Sequence, residues 1–294
     1  MKAVIMAGGE GTRLRPLTSN QPKPMMPIAN RPMMEHIVRL LADHGIDQIV
    51  VTVAFLANQI RTYFGDGSEL GVEMRYATED TPLGTAGSVR NAADELDDTF
   101  LVISGDVLTD VDLTGLIKAH RDSGALGTIA LKRVDDPVEF GIVITGEDGH
   151  VERFLEKPTW GQVFSDTINT GIYVLEPEIF DYIPVNENVD FSSDVFPAAL
   201  ADGKSLFGHV IDGYWEDVGT LDAYLQAHHD ILDGMVAVEI DGFTMRENVW
   251  LGEGADVDPD ATIEGPVVIG QSRTFGLGLM APIAPNVGGG ETDG

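Results

Sequence analysis

The chain has 294 residues, of which 48 are acidic and 18 basic; its net charge is −30, its pI is near 4.2, and it has no cysteine. That charge argues against nucleic acid or an anionic membrane surface as a partner, and the lack of thiols removes disulfides, thiolate nucleophiles and cysteine-ligated metals. No apolar run reaches the roughly 18 residues of a membrane span, and the AVIMA stretch after Lys2 is too short for a signal-peptide core, so a cytoplasmic protein is expected. The acid is spread along the chain, which reads as a strongly solvated surface suited to high salt.

Taken in order, the first element is the apolar run Val4–Ala7, bounded by glycines as a strand buried on both faces of a parallel sheet would be. Gly8, Gly9 and Gly11 follow, leaving backbone N–H groups free to converge on an anion. Thr12, Arg13 and Arg15 add a hydroxyl and two positive charges, and Lys23, held between Pro22 and Pro24, adds a third, so the stretch has the composition of a triphosphate cradle. GGEGTRL lacks the G-K-[ST] ending of a P-loop and the third glycine of a dinucleotide fingerprint.

Pro32 suits a helix first turn, and Met34, Ile37, Val38 and Leu41 recur on one face until Gly45 ends it. Strands are expected over 48–54, 72–77 and 99–104, with helices over 57–64, 85–96 and 113–122, the last capped by Asp112. Such alternation predicts parallel βαβ units, with ligands at the carboxyl ends of the strands. Between Gly127 and Leu175 strands dominate, which predicts an antiparallel extension walling a second substrate. Helices return at 193–201 and 221–232, where Leu221, Tyr224, Leu225, His228 and Leu232 share a face. His228 and its neighbour His229 point to different sides and read as packing or surface residues.

After Asp233, Leu251, Val257, Ile263 and Ile269 recur every six residues, and Ala255, Ala261 and Val267 keep phase with one another. This period marks a left-handed β-helix. Little more than one coil cannot bury its own apolar face, so the β-helix is expected to be truncated or completed by another subunit. The expected division is a catalytic domain over 1–235, a partial β-helix over 236–272 and a mobile glycine-rich tail over 273–294, in a homo-oligomer.

Two aspartates stand where chemistry is expected. Asp106 follows the strand FLVISG at its carboxyl end, and Asp217 stands in YWEDVGT ahead of a helix that Thr220 can cap. Two carboxylates converging on a triphosphate would hold Mg²⁺; spacing alone does not pair them, and each by itself reads equally as a turn residue. Nearby, Asp112 reads as a cap and Asp110 as solvated. Glu156, Lys157 and Pro158 end a strand, and Asn169, Thr170 and Gly171 follow. A lysine beside proline offers a placed charge for a phosphate and an asparagine a donor and an acceptor for sugar hydroxyls, although EKP alone is also a surface pair at a turn.

GGEGTRLRPLT with KPMMP, PLGTAG, the Gly105–Asp106 pair, EKP with NTG, and WEDVGT together resemble the sugar nucleotidyltransferases, or nucleotide-sugar pyrophosphorylases. The resemblance spans Met1 to Leu232 and is strongest to the mannose-1-phosphate guanylyltransferase and archaeal NDP-sugar synthase branch. It implies a Rossmann-like doubly wound mixed sheet. It also implies condensation of an NTP with a sugar 1-phosphate to an NDP-sugar and pyrophosphate, by in-line attack on the α-phosphorus.

By the same resemblance, Ala7, Gly8, Gly9, Gly11 and Thr12 hold the nucleotide, while Arg13 and Lys23 contact its phosphates. Gly84 and Thr85 approach the base, and Asp106 and Asp217 ligate Mg²⁺. Glu156 binds the sugar, Lys157 its 1-phosphate and Asn169 a ring hydroxyl, with NTG standing where the family has NAG. Upstream of PLGTAG, Glu79 or Asp80 could accept guanine N1–H and N2–H₂, and the pair reads equally as an acidic loop. Uridylyl or thymidylyl transfer to glucose 1-phosphate is the alternative reading. A regulatory subunit that binds nucleotide sugar without turnover is the alternative of another class.

Overall fold

The structure is a computed structural model, and it describes residues 1–137, 140–156, 165–240, 242–246, 249–252, 255 and 267–269. Strand β1 (Lys2–Ala7) runs at the centre. After the short hairpin β2 (Pro27–Ile28) and β3 (Arg31–Pro32) come α1 (Met33–Asp43), β4 (Gln48–Val53), α2 (Ala57–Phe64), β5 (Glu73–Thr78) and α3 (Gly84–Arg90). The next elements are β6 (Phe100–Ser104), β7 (Val107–Thr109), α4 (Leu113–Ser123), β8 (Gly127–Arg133), β9 (Gly141–Thr145), β10 (Val151–Glu156) and β11 (Thr167–Leu175). Then follow α5 (Phe196–Ala201), β12 (Leu206–Val210), β13 (Trp215–Asp217), α6 (Leu221–Leu232), β14 (Phe243–Arg246), β15 (Val249–Leu251) and β16 (Val267–Ile269).

The main sheet runs β10-β9-β11-β6-β1-β4-β5, with β8 and β12 branching from β11. Its centre, β6-β1-β4-β5, is parallel, and β11 joins β6 antiparallel, so the fold is mixed α/β with a mostly parallel core. Alternation along β1 divides the interior: Ala3, Ile5 and Ala7 enter one apolar layer and Val4 the other. The chain leaves β1 toward β4 on one side and returns as β6 on the other. That reversal opens a crevice beyond the carboxyl ends of β1 and β6. Gly8 and Asp106 both lie at that crevice.

Several expected elements take a different form. The helix over 85–96 stops at Arg90 and a separate 3₁₀ turn covers Ala93–Glu95, because Asn91 is held to the Thr78 carbonyl and Ala92 and Leu96 turn into the core. The helix over 193–201 is a wide turn, Phe191–Val195, leading into α5, whose first turn holds Pro197. On α6, Tyr224, Ala227, Ile231 and Leu232 are buried while Leu221 and Leu225 are 42% and 45% exposed. The Tyr224 hydroxyl donates to the Pro27 carbonyl, which fixes the buried face a step away from the one the leucines suggest.

The third apolar cluster joins Leu14, Met26, Leu108, Val218, the buried face of α6, Val236 and Val268. Through it the C-terminal strands rest on the same body as the loop after β1. Among the described residues those strands form a three-stranded sheet, β14-β15-β16, and most of the stretch expected as a left-handed β-helix lies between them. Its parallel pair sets Val249, Trp250 and Leu251 beside Val267, Val268 and Ile269. Val257, Ala261, Ile263 and the segment 273–294 lie outside the described residues. Among the described residues no helix is long and apolar enough to cross a membrane.

Candidate active site

The loop after β1 needs its glycines for stated reasons. Gly11 has φ +61°, and a Cβ there would sit 2.8 Å from Lys23 Cβ. The Thr18 hydroxyl donates to the Gly11 carbonyl, and the Thr12–Leu14 turn buries Leu14, so the loop is pinned where it crosses Lys23. Only 6% of the Lys23 side chain is exposed. Its Nζ lies 2.6 Å from Asp106 Oδ2 and 3.4 Å from Asp217 Oδ1. The structure thus brings together three residues that the sequence separates widely.

Two strand arrangements produce that meeting. Gly105 donates its N–H to the Met6 carbonyl, and a Cβ at Gly105 would lie 2.9 Å from that oxygen, so β6 ends hard against β1 and delivers Asp106. Antiparallel pairing of β7 and β13 places Asp217 opposite Val107, the residue after Asp106. Burial pushes the Asp106 carboxyl up, but the Lys23 charge and the bonds from Lys23 and Ser104 outweigh it and hold the group below its usual range. Arg13 is 69% exposed, with Nη2 3.9 Å from Asp217 Oδ2. A Cβ at Gly219 would meet that Nη2 at 3.0 Å, so the glycine of WEDVGT makes room for Arg13.

Among the described residues no third histidine or carboxylate joins Asp106 and Asp217 in a metal-binding group. The pair already converges on one cation, the Lys23 ammonium. Such a donor set fits a divalent ion that takes its other ligands from phosphates and water.

Beside this centre lies a cavity of about 630 Å³, walled by Gly8, Gly9, Glu79, Gly84, Thr85, Ser88 and Asp190, among others. Gly84 has φ +72°, and a Cβ there would lie 2.5 Å from the Val189 carbonyl oxygen, which accepts the N–H groups of Ala86 and Gly87. The Thr85 hydroxyl donates to Asp190 Oδ2 at 2.7 Å and accepts the Phe191 N–H. Glu79 is partly buried and Asp80 exposed. Glu79 Oε1 lies 2.6 Å from Ser88 Oγ, and Oε2 lies 3.4 Å from the Leu83 nitrogen.

Asn169 stands where the pairing of β11 with β8 shifts register, and Gly171 at φ +75° carries the bulge. Its Nδ2 donates to the Tyr173 hydroxyl at 2.9 Å and to Ser192 Oγ at 2.8 Å, and its Oδ1 accepts the Gly171 N–H. Both amide protons are therefore engaged. The backbone of Glu156 ends β10 opposite Gly141; its side chain and all of Lys157 lie outside the described residues.

One expectation is corrected. Asp110 is not merely solvated: its carboxylate accepts the N–H of Tyr214 at 2.6 Å and of Ala237 at 2.8 Å, tying β13 to the segment after α6. Asp112 does cap α4, accepting the Gly115 N–H. Sequence reasoning missed Asp190, Ser192 and Ser88. Asp190 left a signal, since aspartate before F-S-S is a cap pattern and it accepts the N–H groups of Ser192 and Ser193. A single serine inside α3 left none.

The fold and the lysine-bridged carboxylates beside a glycine-lined cavity define an enzyme that handles nucleotide phosphates. The chain belongs to the nucleotidyl transferase family, which it matches over residues 2–234. It is 40% identical to the UTP–glucose-1-phosphate uridylyltransferase of Synechocystis sp. over 286 residues, 92% of this chain and 74% of that protein. It is also 40% identical to the mannose-1-phosphate guanylyltransferase of Mycobacterium tuberculosis over 283 residues, 94% of this chain and 77% of that one. The crystal structure of HddC from Yersinia pseudotuberculosis complexed with GMP-PN superposes with a TM-score of 0.68 at 27% identity, covering 78% of this chain and 99% of that chain. The two curated relatives are equally similar and differ in both base and sugar, so resemblance leaves the substrate pair open.

Proposed function

We propose that this sugar-1-phosphate nucleotidyltransferase joins GTP to mannose 1-phosphate, giving GDP-mannose and pyrophosphate. The observation that carries the choice of base is the Glu79 carboxylate at the cavity wall, with both oxygens placed by neighbours. Guanine offers two adjacent donors, N1–H and N2–H₂, which match a two-oxygen acceptor. Uracil and thymine offer one N–H flanked by two carbonyls, which a carboxylate repels.

The backbone from Ala7 to Thr12 cradles the triphosphate, with Arg13 and Lys23 offsetting its charge. Asp106 and Asp217 would hold Mg²⁺, which would supply charge neutralisation for the phosphates, and Lys23, beside both carboxylates, would contact the phosphates. Gly84 and Thr85 flank the base. On the sugar side, Glu156 binds the sugar and Lys157 the 1-phosphate, while Asn169, its two amide protons engaged, takes a ring hydroxyl through the remaining lone pair of Oδ1. The attacking phosphate oxygen is already an anion and pyrophosphate leaves readily, so catalysis is positioning and charge neutralisation.

At the C-terminus, parallel pairing at an offset of 18 residues, three hexads, supports one coil of a left-handed β-helix that a second copy of the chain would extend. A homo-oligomer, a cytoplasmic setting and activity in strong salt belong to the same reading. The test is pyrophosphate release with Mg²⁺ in concentrated KCl, crossing four NTPs with the 1-phosphates of mannose, glucose and N-acetylglucosamine. Turnover confined to GTP with mannose 1-phosphate is expected. Turnover of UTP or dTTP with glucose 1-phosphate would replace it with the uridylyl or thymidylyl reading. Silence throughout, with nucleotide sugar still bound, would favour a regulatory subunit.

A further inference from the structure

From the cavity wall inward runs a short chain of hydroxyls that the reaction itself does not use. Thr52, on β4, is fully buried, and Ser88, on α3, is 5% exposed. Ser88 Oγ stands 2.6 Å from Thr52 Oγ1 and 2.6 Å from Glu79 Oε1. A hydroxyl carries one proton and an ionised carboxylate can only accept. The Ser88 proton therefore goes to Glu79, and Thr52 supplies its own proton to Ser88.

We propose that Ser88, backed by Thr52, is a positioning residue that sets the plane of the Glu79 carboxylate and thereby the enzyme's preference for guanine; this rests on the reading of Glu79 as the acceptor for the base. The terminal torsion of a glutamate is soft, so a carboxylate without neighbours turns freely. Here Oε1 is held by Ser88 from within the core and Oε2 faces the Leu83 N–H, which fixes the orientation from two sides. Each oxygen keeps a further lone pair for the cavity, enough for one donor each from N1–H and N2–H₂.

Gly8 completes the arrangement. A Cβ on it would lie 3.0 Å from Oε1, so the phosphate loop stays bare where the carboxylate must stand. The same glycine thereby serves the triphosphate and the base.

The test compares kcat/KM for GTP with that for ITP, which lacks only the 2-amino group, in the full chain and four variants. Wild type should favour GTP by at least about tenfold, since a site built for a donor is left with an unpaired acceptor when the donor is missing. Ser88→Ala should reduce that ratio by about tenfold through a raised KM for GTP, with kcat and the sugar-phosphate KM little changed. Thr52→Val should give a smaller fall in the same direction, and Thr52→Ser, which keeps the hydroxyl, should restore the wild-type ratio. Glu79→Gln separates the two layers of the argument. If it leaves the ratio unchanged, the reading of Glu79 is wrong. If it collapses the ratio while Ser88→Ala lowers GTP and ITP turnover equally, Glu79 reads the base and the positioning role of Ser88 is overturned.

Discussion

Replacing Lys23 by methionine keeps an unbranched side chain only one atom shorter and removes its charge. At an effective dielectric of about 20, an ammonium 2.6 Å from Asp106 and 3.4 Å from Asp217 attracts them by on the order of 6 and 5 kcal/mol before desolvation is counted. Most of that is offset by burying the lysine, and the two carboxylates, 30% and 32% exposed, are partly screened by water. A net loss of about 3 kcal/mol remains, at the low end for breaking a buried pair. In a protein of this size that lowers Tm by on the order of 5 °C.

The same variant should bind Mg²⁺ in the absence of nucleotide better than wild type does, because Lys23 and the ion compete for the same two oxygens. Turnover should nevertheless fall by about 10²–10³-fold, the usual cost of removing one preorganised charge from a phosphoryl-transfer site. Differential scanning calorimetry with and without Mg²⁺, beside pyrophosphate release, reads all three effects. An unchanged Tm together with an unchanged Mg²⁺ shift would refute the view that the lysine stands in for the ion.

Three further outcomes follow from the same contacts. Gly84→Ala should lose about 1–3 kcal/mol more stability than Gly45→Ala and raise the KM for NTP; both glycines have φ above +70°, but only the first has a carbonyl oxygen within 2.5 Å of the new Cβ, and paired thermal melts isolate that contact. Burial lowers the His228 pKa to about 4, so the unfolded chain, titrating near 6.5, binds the extra proton, and stability falls as pH drops through that window by up to about 3 kcal/mol; in His228→Gln the loss of Tm between pH 7 and pH 5 should be smaller, and an equal loss would show that the ring already ionises in the fold. Activity should persist at about 1 M KCl, where the Debye length is roughly 3 Å: distant carboxylates are screened while the 2.6 Å contact of Lys23 with Asp106 is not, and activity that peaks at low ionic strength and declines with added salt would contradict this.

The parallel centre of the fold was legible because β1 and β6 are apolar runs ending at glycine and β4 is a β-branched run, and burial on both faces favours those patterns. The glycine loop and the lysine between prolines were legible for the same local reason. The meeting of Asp106 with Asp217 was legible only through the resemblance of their motifs and not from spacing, since it depends on the pairing of β7 with β13, two three-residue strands that carry no strong periodicity of their own. The phase of α6 was ambiguous because Leu221 and Leu225 are as apolar as the residues that are buried, and a carbonyl from Pro27, distant in sequence, decides between the faces. Hydroxyls such as Ser88 stay silent in a sequence, because their importance lies in what stands opposite them.

The bond from Ala237 to Asp110 has a practical consequence for where the chain can be cut. Val236 is 4% exposed within the third apolar cluster, and Glu239 reaches back to Arg31 and Arg39. A fragment ended at Leu232 would strip the cover from that cluster and free one side of the carboxylate that steadies the Tyr214 backbone, three residues before Asp217. A fragment ended just after Glu239 keeps all of these anchors. The first should be sticky and poorly active, and the second a workable minimal enzyme for crystallisation and for grafting other modules behind it.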